Sequence, residues 1–122
     1  MRSYTFIIIV LSVILTSCAK DKSSVEVIQK QEIDLQMIDA YEEGLQALED
    51  RDGLNAAKKF SEAELLYPQS IWAPRAALMA AYSYYLDAYY SDTIYELERF
   101  LLTYPNHPRT DYAYYLLAVT YY

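Results

Sequence analysis

Residues 67–108 read "YPQSIWAPRAALMAAYSYYLDAYYSDTIYELERFLLTYPNHP", and this stretch decides the fold. It contains two Tyr-Pro pairs, whose prolines, Pro68 and Pro105, are 37 positions apart. Proline is tolerated in the first turn of a helix but not in its interior, so Pro74 indicates a start, whereas Pro68 and Pro105 indicate stops. The segment "DAYYSD" (87–92) is typical of a turn. The stretch therefore predicts two helices, from 72–74 to 86 and over 93–103.

The helical pattern continues on both sides of this stretch. Upstream, apolar residues recur at spacings of three and four, which is the period of an amphipathic helix: Ile33, Met37, Tyr41, Leu45 and Leu48. The segment "EDRDG" (49–53) interrupts this pattern, and a second helix is expected over 54–66. A fifth helix is expected to begin after "YPNHP" (104–108) and to continue through "DYAYYLLAVTYY" (111–122).

The helix starts have candidate capping residues. Ser91 or Asp92 is the expected N-cap of the fourth helix, because short polar side chains accept hydrogen bonds from the free N–H groups of the first turn. Thr110 or Asp111 is expected to cap the fifth helix for the same reason.

The composition favours an all-α fold and excludes one class of partner. The chain has 122 residues, at most one modest domain, with only two glycines and four prolines. So few turn residues argue against an all-β fold. The net charge is −7, and no basic cluster could neutralise phosphates, so we expect no nucleic-acid partner. Tyrosine occurs 15 times, which is unusually often.

The N-terminus has the features of an export signal. Arg2 precedes the apolar run "FIIIVLSVIL" (6–15), which is about half the length of a membrane-spanning helix and fits a secretory signal. The run ends in "LTSC" (15–18), which resembles the bacterial lipobox. The alternative is an ordinary signal peptide with an incidental cysteine.

The lipobox resemblance has consequences for the mature chain. It implies a signal peptide over 1–17, S-diacylglycerol and N-acyl groups on Cys18, and no other cofactor. Ala19 stands where an aspartate would retain the lipoprotein in the inner membrane, so the expected address is the outer membrane, facing the periplasm. The polar segment 18–32 is expected to be a flexible tether. Because Cys18 is the only cysteine, no disulfide or thiolate metal site is expected.

The helices repeat, and the repeat resembles the tetratricopeptide (TPR) pattern, whose period is about 34 residues. The first repeat has the expected small, large and proline positions: Gly44, Ala56, Phe60, Ala63 and Pro68. The second matches at Ala81, Tyr84, Leu97 and Pro105 and departs from the pattern at Thr93 and Phe100. The resemblance implies helical hairpins stacked as a short right-handed solenoid over 33–122, with two full repeats and the first helix of a third.

Lipobox, short tether and repeats in this order resemble the BamD family of TPR lipoproteins from the outer-membrane β-barrel assembly machinery. The segments "YPQSIWAPRAALMAAYSYY", "ELERFLLTYPNHP" and "DYAYYLLAVTYY" carry the likeness, which implies an N-terminal fragment of a longer chain. The resemblance further implies a non-enzyme that receives unfolded outer-membrane proteins. It also implies contact with the integral barrel component, mainly through repeats beyond residue 122.

The TPR resemblance also places a candidate site. In such domains the concave face is lined by fixed positions of the first helix of each repeat, which implies a peptide-binding groove of seven residues: Tyr41, Arg75, Leu78, Tyr82, Tyr85, Tyr112 and Tyr115. Tyrosine provides a large contact area at a low cost in side-chain entropy. The alternative is that these tyrosines make contacts within the complete domain.

No catalytic or metal-binding motif is recognisable. His107 is the only histidine, and it lies in a turn between Pro105 and Pro108, where a solvent-facing or capping role is expected. No nucleophile elbow, phosphate loop, dinucleotide fingerprint or metal-ligand spacing occurs. We therefore expect a non-enzyme. Two alternatives are a periplasmic TPR lipoprotein that adapts cell-wall enzymes, and the N-terminal scaffold of an enzyme whose catalytic domain lies further along the chain.

Overall fold

The computed structural model describes residues 22–122. This part of the chain contains helices and no strand, which confirms the all-α class. Five helices follow one another: α1 (Lys22–Glu49), α2 (Gly53–Leu66), α3 (Ala73–Leu86), α4 (Tyr90–Thr103) and α5 (Thr110–Tyr121). The packing described below lies within one compact unit, Gln31–Tyr122. Among the described helices, none combines the length and the apolar character that crossing a bilayer requires.

The first helix begins earlier than the apolar pattern predicts. α1 starts at Lys22, so the prediction of a flexible tether over 18–32 is wrong for residues 22–32. This segment has no apolar periodicity, but it also has no glycine or proline, and its Lys, Glu and Gln residues are good helix formers. Adding residues to an existing helix costs little compared with nucleating one, so the helix can extend N-terminal to the apolar pattern that begins at Ile33.

Side-chain oxygens accept hydrogen bonds from free backbone N–H groups at the N-termini of α2 and α3. Asp52 caps α2, because its Oδ1 accepts a hydrogen bond from the backbone N–H of Asn55 at 3.0 Å. Before α3, the Ser70 hydroxyl oxygen accepts hydrogen bonds from the N–H groups of Trp72 and Ala73 at 3.2 and 3.1 Å. Pro74 lies in the first turn of α3, as predicted.

The predicted N-caps of α4 and α5 are wrong. α4 begins at Tyr90, so Ser91 and Asp92 lie inside its first turn and Tyr89 is the N-cap. The reason is the abrupt end of α3, which lets the next helix begin at once. For α5 the N-cap is Arg109, and the Thr110 hydroxyl instead donates to the His107 carbonyl at 2.6 Å.

A Schellman motif centred on Ala88 ends α3. The N–H of Ala88 donates to the Tyr85 carbonyl at 3.1 Å, and the N–H of Tyr89 donates to the Tyr84 carbonyl at 2.9 Å. Ala88 has a φ of 61°, in the left-handed region, where a Cβ meets the following carbonyl oxygen. The turn between α3 and α4 is therefore formed by a residue that is strained there.

Replacing Ala88 with glycine is expected to raise the free energy of unfolding by about 0.5–1 kcal/mol. Glycine removes about 1–2 kcal/mol of strain from the left-handed conformation. Its greater conformational freedom in the unfolded chain lowers stability by about 0.5–1 kcal/mol, which offsets part of this gain. Thermal melts of the variant measure the change. The control is Ala118→Gly, at an exposed position inside α5, which is expected to lower stability by about 1 kcal/mol. A loss of stability in Ala88→Gly would contradict the strain.

Helices α1 and α2 approach closely where a small residue faces a large one. A Cβ at Gly44 would lie 2.8 Å from the ring of Phe60, and Phe60 is completely buried. Met37 near the middle of α1 clusters with Ala63 late in α2, whereas Ala47 at the end of α1 clusters with Ala56 early in α2. The two helices are therefore antiparallel and form a hairpin, as the TPR positions of Gly44, Phe60 and Ala63 predict.

The second hairpin and α5 share a core of their own. Its buried residues come from α3, α4 and α5: Ala77, Leu78, Ala81, Leu97, Phe100, Ala113 and Leu116. Thr93 and Phe100, which depart from the TPR pattern, are both completely buried. Thr93 remains satisfied there because its hydroxyl donates to the Tyr89 carbonyl at 3.0 Å.

A buried carboxylate joins the two hairpins. Glu64 in α2 is 5% exposed and accepts two hydrogen bonds from the Arg99 guanidinium, at 2.8 and 2.6 Å. The Tyr104 hydroxyl donates a third at 2.8 Å, and Arg99 also pairs with Glu96 at 2.7 Å. Burial and the hydrogen bond to Glu64 raise the pKa of Tyr104 to about 12, so its hydroxyl remains a donor. Sequence reasoning did not identify this network.

Candidate functional site

A cavity of about 390 Å³ lies along the first helices of the successive pairs. Its lining comes from α1, α3, the loop before α5, and α5 itself: Tyr41, Arg75, Leu78, Met79, Tyr82, Arg109 and Tyr112. Five of the seven predicted groove residues are among them, namely Tyr41, Arg75, Leu78, Tyr82 and Tyr112. The structure therefore brings most of the predicted set to one concave surface.

Packing on two sides positions Tyr41. Its ring meets Phe60 edge-on, with centroids 5.1 Å apart, and meets Trp72 edge-on at 5.6 Å. Burial raises the pKa of the Tyr41 phenol, while the positive charges of Arg75 and Arg109 act in the opposite direction. The phenol therefore stays protonated at neutral pH and can donate a hydrogen bond into the cavity.

Two arginines line the cavity. The Arg75 guanidinium carbon lies 4.9 Å from the centroid of the Trp72 ring, in range of a cation–π contact. Arg109 precedes α5 as its N-cap. The TPR groove positions all lie inside helices, so they do not include this residue. Met79 is also outside those positions. The closeness of Arg109 to Tyr112, one helical turn later, is the sequence signal that could have identified it.

The aromatic part of the cavity continues along α5. Tyr112 lies against Tyr115, with ring centroids 6.4 Å apart. Burial is the largest cause that raises the pKa of the Tyr112 phenol, and the neighbouring Tyr82 and Tyr115 raise it further. The positive charge of Arg109 lowers this pKa. The Tyr112 phenol thus has three tyrosines, including Tyr85, and one guanidinium close by.

The structure does not bring Tyr85 and Tyr115 to the cavity lining. Tyr85 is half-buried against the core of the second hairpin, and its ring contacts the Tyr90 ring at a centroid distance of 6.1 Å. Tyr115 is 64% exposed and contacts Tyr112, which lines the cavity. The cavity lining is therefore shorter along both α3 and α5 than the repeat positions suggest.

Two candidates remain, Cys18 and His107. Cys18, the predicted lipidation site, is outside the described residues. The Nδ1 atom of His107 accepts a hydrogen bond from the backbone N–H of Arg109 at 3.2 Å, a contact within the turn that precedes α5. Burial, Arg109 and Arg75 lower the pKa of His107. Among the described residues, no group of three His, Cys, Asp or Glu side chains could hold a metal ion.

Comparisons with known proteins agree with the resemblance drawn from the motifs. The model of the YfiO family, described as outer membrane lipoprotein, matches residues 33–122. The outer membrane protein assembly factor BamD of Caulobacter vibrioides is 34% identical over 82 residues, which cover 67% of this chain and 27% of that protein. The BamD of Rickettsia prowazekii is 30% identical over 115 residues, or 94% of this chain and 43% of that protein.

The chain spans less than half the length of both relatives. No solved structure matches it. The family match covers both hairpins and α5, the part of the molecule that contains the cavity. The chain therefore belongs to the YfiO family of outer membrane lipoproteins and is similar to the assembly factors named BamD.

Proposed function

We propose that this protein is a non-catalytic lipoprotein of the outer-membrane β-barrel assembly machinery, in which the tyrosine-lined cavity receives segments of unfolded outer-membrane proteins. The family match and the two BamD relatives support the assembly role. The integral barrel component of the machinery is the expected partner of the whole protein. The S-diacylglycerol and N-acyl groups expected on Cys18 would anchor the protein stably at the periplasmic face of the outer membrane, since a single acyl chain anchors a protein only marginally.

The lining of the cavity is the observation that carries this proposal. Three helices contribute one tyrosine each, Tyr41, Tyr82 and Tyr112, beside the apolar Leu78 and Met79. An outer-membrane β-strand alternates apolar and polar side chains, with aromatic residues at the membrane interfaces. Such a segment could place its aromatic rings against the tyrosines and its backbone groups near their hydroxyls.

The expected strength of binding suits a hand-over step. An aromatic pair contributes about 0.5–1.5 kcal/mol beyond the area it buries. Association also costs several kcal/mol in lost translational and rotational freedom. A few such pairs therefore give weak, reversible binding, which allows a segment to be released to the next component.

Replacing Tyr82 with alanine is expected to weaken binding of an aromatic-rich strand peptide about two- to tenfold, the equivalent of one lost aromatic contact. Titration of a labelled peptide against both proteins measures the change. Tyr82 also packs on the core of the second hairpin, so thermal melts must show that the variant is folded. Tyr112→Ala provides a second test, because Tyr112 is 38% exposed and can be removed at less cost to the core.

The matched control is Tyr95→Ala. Tyr95 lies on α4, is 65% exposed and does not line the cavity, so its loss should leave the peptide affinity unchanged. Equal affinities for the wild type, Tyr82→Ala and Tyr112→Ala, with all three proteins folded, would contradict peptide binding in the cavity.

A further inference from the structure

We propose that one end of the stacked hairpins docks on the surface of a phospholipid bilayer. This end, the loop end, consists of residues 65–74 and 100–108, which span the ends of α2 and α4 and the loops after them. The opposite end, the turn end, consists of residues 49–53 and 87–92 and would face away from the lipid. The inference goes beyond peptide binding in the cavity and rests on the proposed location at the outer membrane.

Contacts between the helices bring the two loops to the same end of the stack. Glu64 near the end of α2 accepts hydrogen bonds from Arg99 and from the Tyr104 hydroxyl, so α2 and α4 end side by side. At the other end, the backbone N–H of Leu54 donates to the Asp87 carboxylate at 3.0 Å. The turn after α1 therefore lies beside the turn after α3, opposite the two loops.

The two ends differ in charge. Residues 65–74 and 100–108 contain no Asp, Glu, Lys or Arg. Burial, followed by the charges of two arginines, lowers the pKa of His107, so its imidazole is uncharged at neutral pH. The turn end is acidic, with five carboxylates and one guanidinium: Glu49, Asp50, Arg51, Asp52, Asp87 and Asp92. An anionic lipid surface would therefore repel the turn end and not the loop end.

The loop end also carries the most exposed aliphatic side chains of the compact unit Gln31–Tyr122. Leu102, Leu65 and Ile71 are 83%, 77% and 76% exposed. Trp72, in the same segment as Ile71, is 37% exposed, and tryptophan favours the boundary between water and lipid. An uncharged surface with exposed aliphatic and aromatic side chains has the composition of a surface that inserts shallowly into a bilayer.

The exposure of Leu102 does not depend on whether a further helix stacks on α4. Leu65 and Leu102 are 37 positions apart, as are Pro68 and Pro105, so they occupy the same position in successive repeats. Leu65 remains exposed although α4 lies beside α2. A helix stacked on α4 in the same way would therefore leave Leu102 exposed as well.

The expected lipid anchor joins the compact unit at the loop end. Met37 in α1 packs with Ala63 late in α2 and with Ala76 early in α3, so α1 enters the unit beside this end. Cys18 precedes Ile33 by 15 positions, which limits the distance between the anchor and Ile33 to about 50 Å. Because the anchor keeps the loop end near the lipid, insertion of a few side chains suffices to hold it there.

Fluorescent labels at the two ends test this inference. The full-length acylated protein is reconstituted into vesicles of phosphatidylethanolamine and phosphatidylglycerol, with a polarity-sensitive label on Gln69→Cys at the loop end or on Asp50→Cys at the turn end. Both residues are exposed, and the diacylglycerol expected on Cys18 occupies the only native thiol of the sequence. At position 69 we expect emission at shorter wavelength, protection from aqueous iodide and quenching by brominated lipid. At position 50 we expect none of these effects.

Serine substitutions then assign the effect to the exposed side chains. Replacing Leu65, Ile71 and Leu102 together with serine should raise iodide quenching at position 69 to the level found at position 50. All three residues are exposed and lie outside the cavity lining, so helicity and peptide affinity should equal those of the wild type. The matched control is Leu86→Ser, which removes an exposed leucine beside the turn end and should leave the protection at position 69 unchanged.

Each contrary result has a distinct meaning. Equal iodide quenching of the two labels on vesicles would overturn bilayer docking and leave peptide binding in the cavity intact. Protection that persists in the triple serine variant would also overturn it. Protection that disappears when the protein is diluted over more vesicles would indicate contact between copies of the chain and overturn docking on lipid. If the full-length protein does not attach to vesicles, the proposed lipid anchor fails and bilayer docking fails with it.

Discussion

Replacing Phe60 with alanine is expected to lower the free energy of unfolding by about 3–5 kcal/mol, the usual cost of removing a buried aromatic ring. Phe60 is completely buried and fills the space between α1 and α2 opposite Gly44. Its ring also supports Tyr41 edge-on at 5.1 Å. Denaturant unfolding of the full-length protein measures the loss. Because Tyr41 loses its support, peptide affinity should fall as well, even under conditions where the variant is folded.

A compensating pair of substitutions tests the packing behind this expectation. Gly44→Ala places a Cβ 2.8–3.0 Å from three Phe60 ring atoms, so it should cost about 1–3 kcal/mol through overpacking. Combining it with Phe60→Leu removes part of the ring, and the double variant should lose less than the sum of the two single losses. Additive losses would mean that Gly44 and Phe60 do not pack as described.

Replacing Arg99 with methionine is expected to cost about 3 kcal/mol, because it leaves the Glu64 carboxylate buried with only the Tyr104 hydroxyl as partner. This figure lies at the low end for a buried ion pair, since the Arg99 side chain is 32% exposed. Glu64→Met should cost less, because Arg99 keeps Glu96 and contact with solvent. Arg99→Met is therefore expected to lose more stability than Glu64→Met.

The double variant provides the control. Replacing Glu64 and Arg99 together with methionine removes the buried carboxylate and its partner charge, and paired apolar substitutions of this kind are often nearly neutral. Unfolding should therefore show a double-variant loss smaller than that of Arg99→Met alone. If Glu64→Met costs more than Arg99→Met, or if the losses simply add, the buried carboxylate does not join the hairpins in the way the structure indicates.

Much of the fold could be predicted from the sequence because its signals are local. The spacing of Ile33 to Leu48, the helix starts and stops at prolines, and the small residues at Gly44 and Ala63 each depend on neighbours within a few turns. Helix boundaries were less predictable. The starts of α1 and α4 were placed too late, because α1 extends beyond its apolar pattern at the N-terminal end and α4 follows a turn that depends on a left-handed Ala88.

The candidate site was predicted in part, and the division has a physical cause. The repeat period places Tyr41, Arg75, Tyr82 and Tyr112 on one face, because each position is determined by the helical rotation within its own repeat. Whether a residue on that face reaches the cavity depends on how the hairpins lean against one another. Tyr85 and Tyr115 lie outside the lining, whereas Arg109, which lies before the helix, is part of it.

The sequence by itself determined the helices, their pairing into hairpins and the family, because period, proline positions and small residues are properties of short segments. Only the tertiary structure decided which side chains meet across repeats. The ion pair of Glu64 with Arg99 joins residues 35 positions apart, and one cavity is lined both by Arg75 of α3 and by Arg109 of the loop before α5. Such contacts depend on the stacking of whole hairpins, which no local pattern encodes.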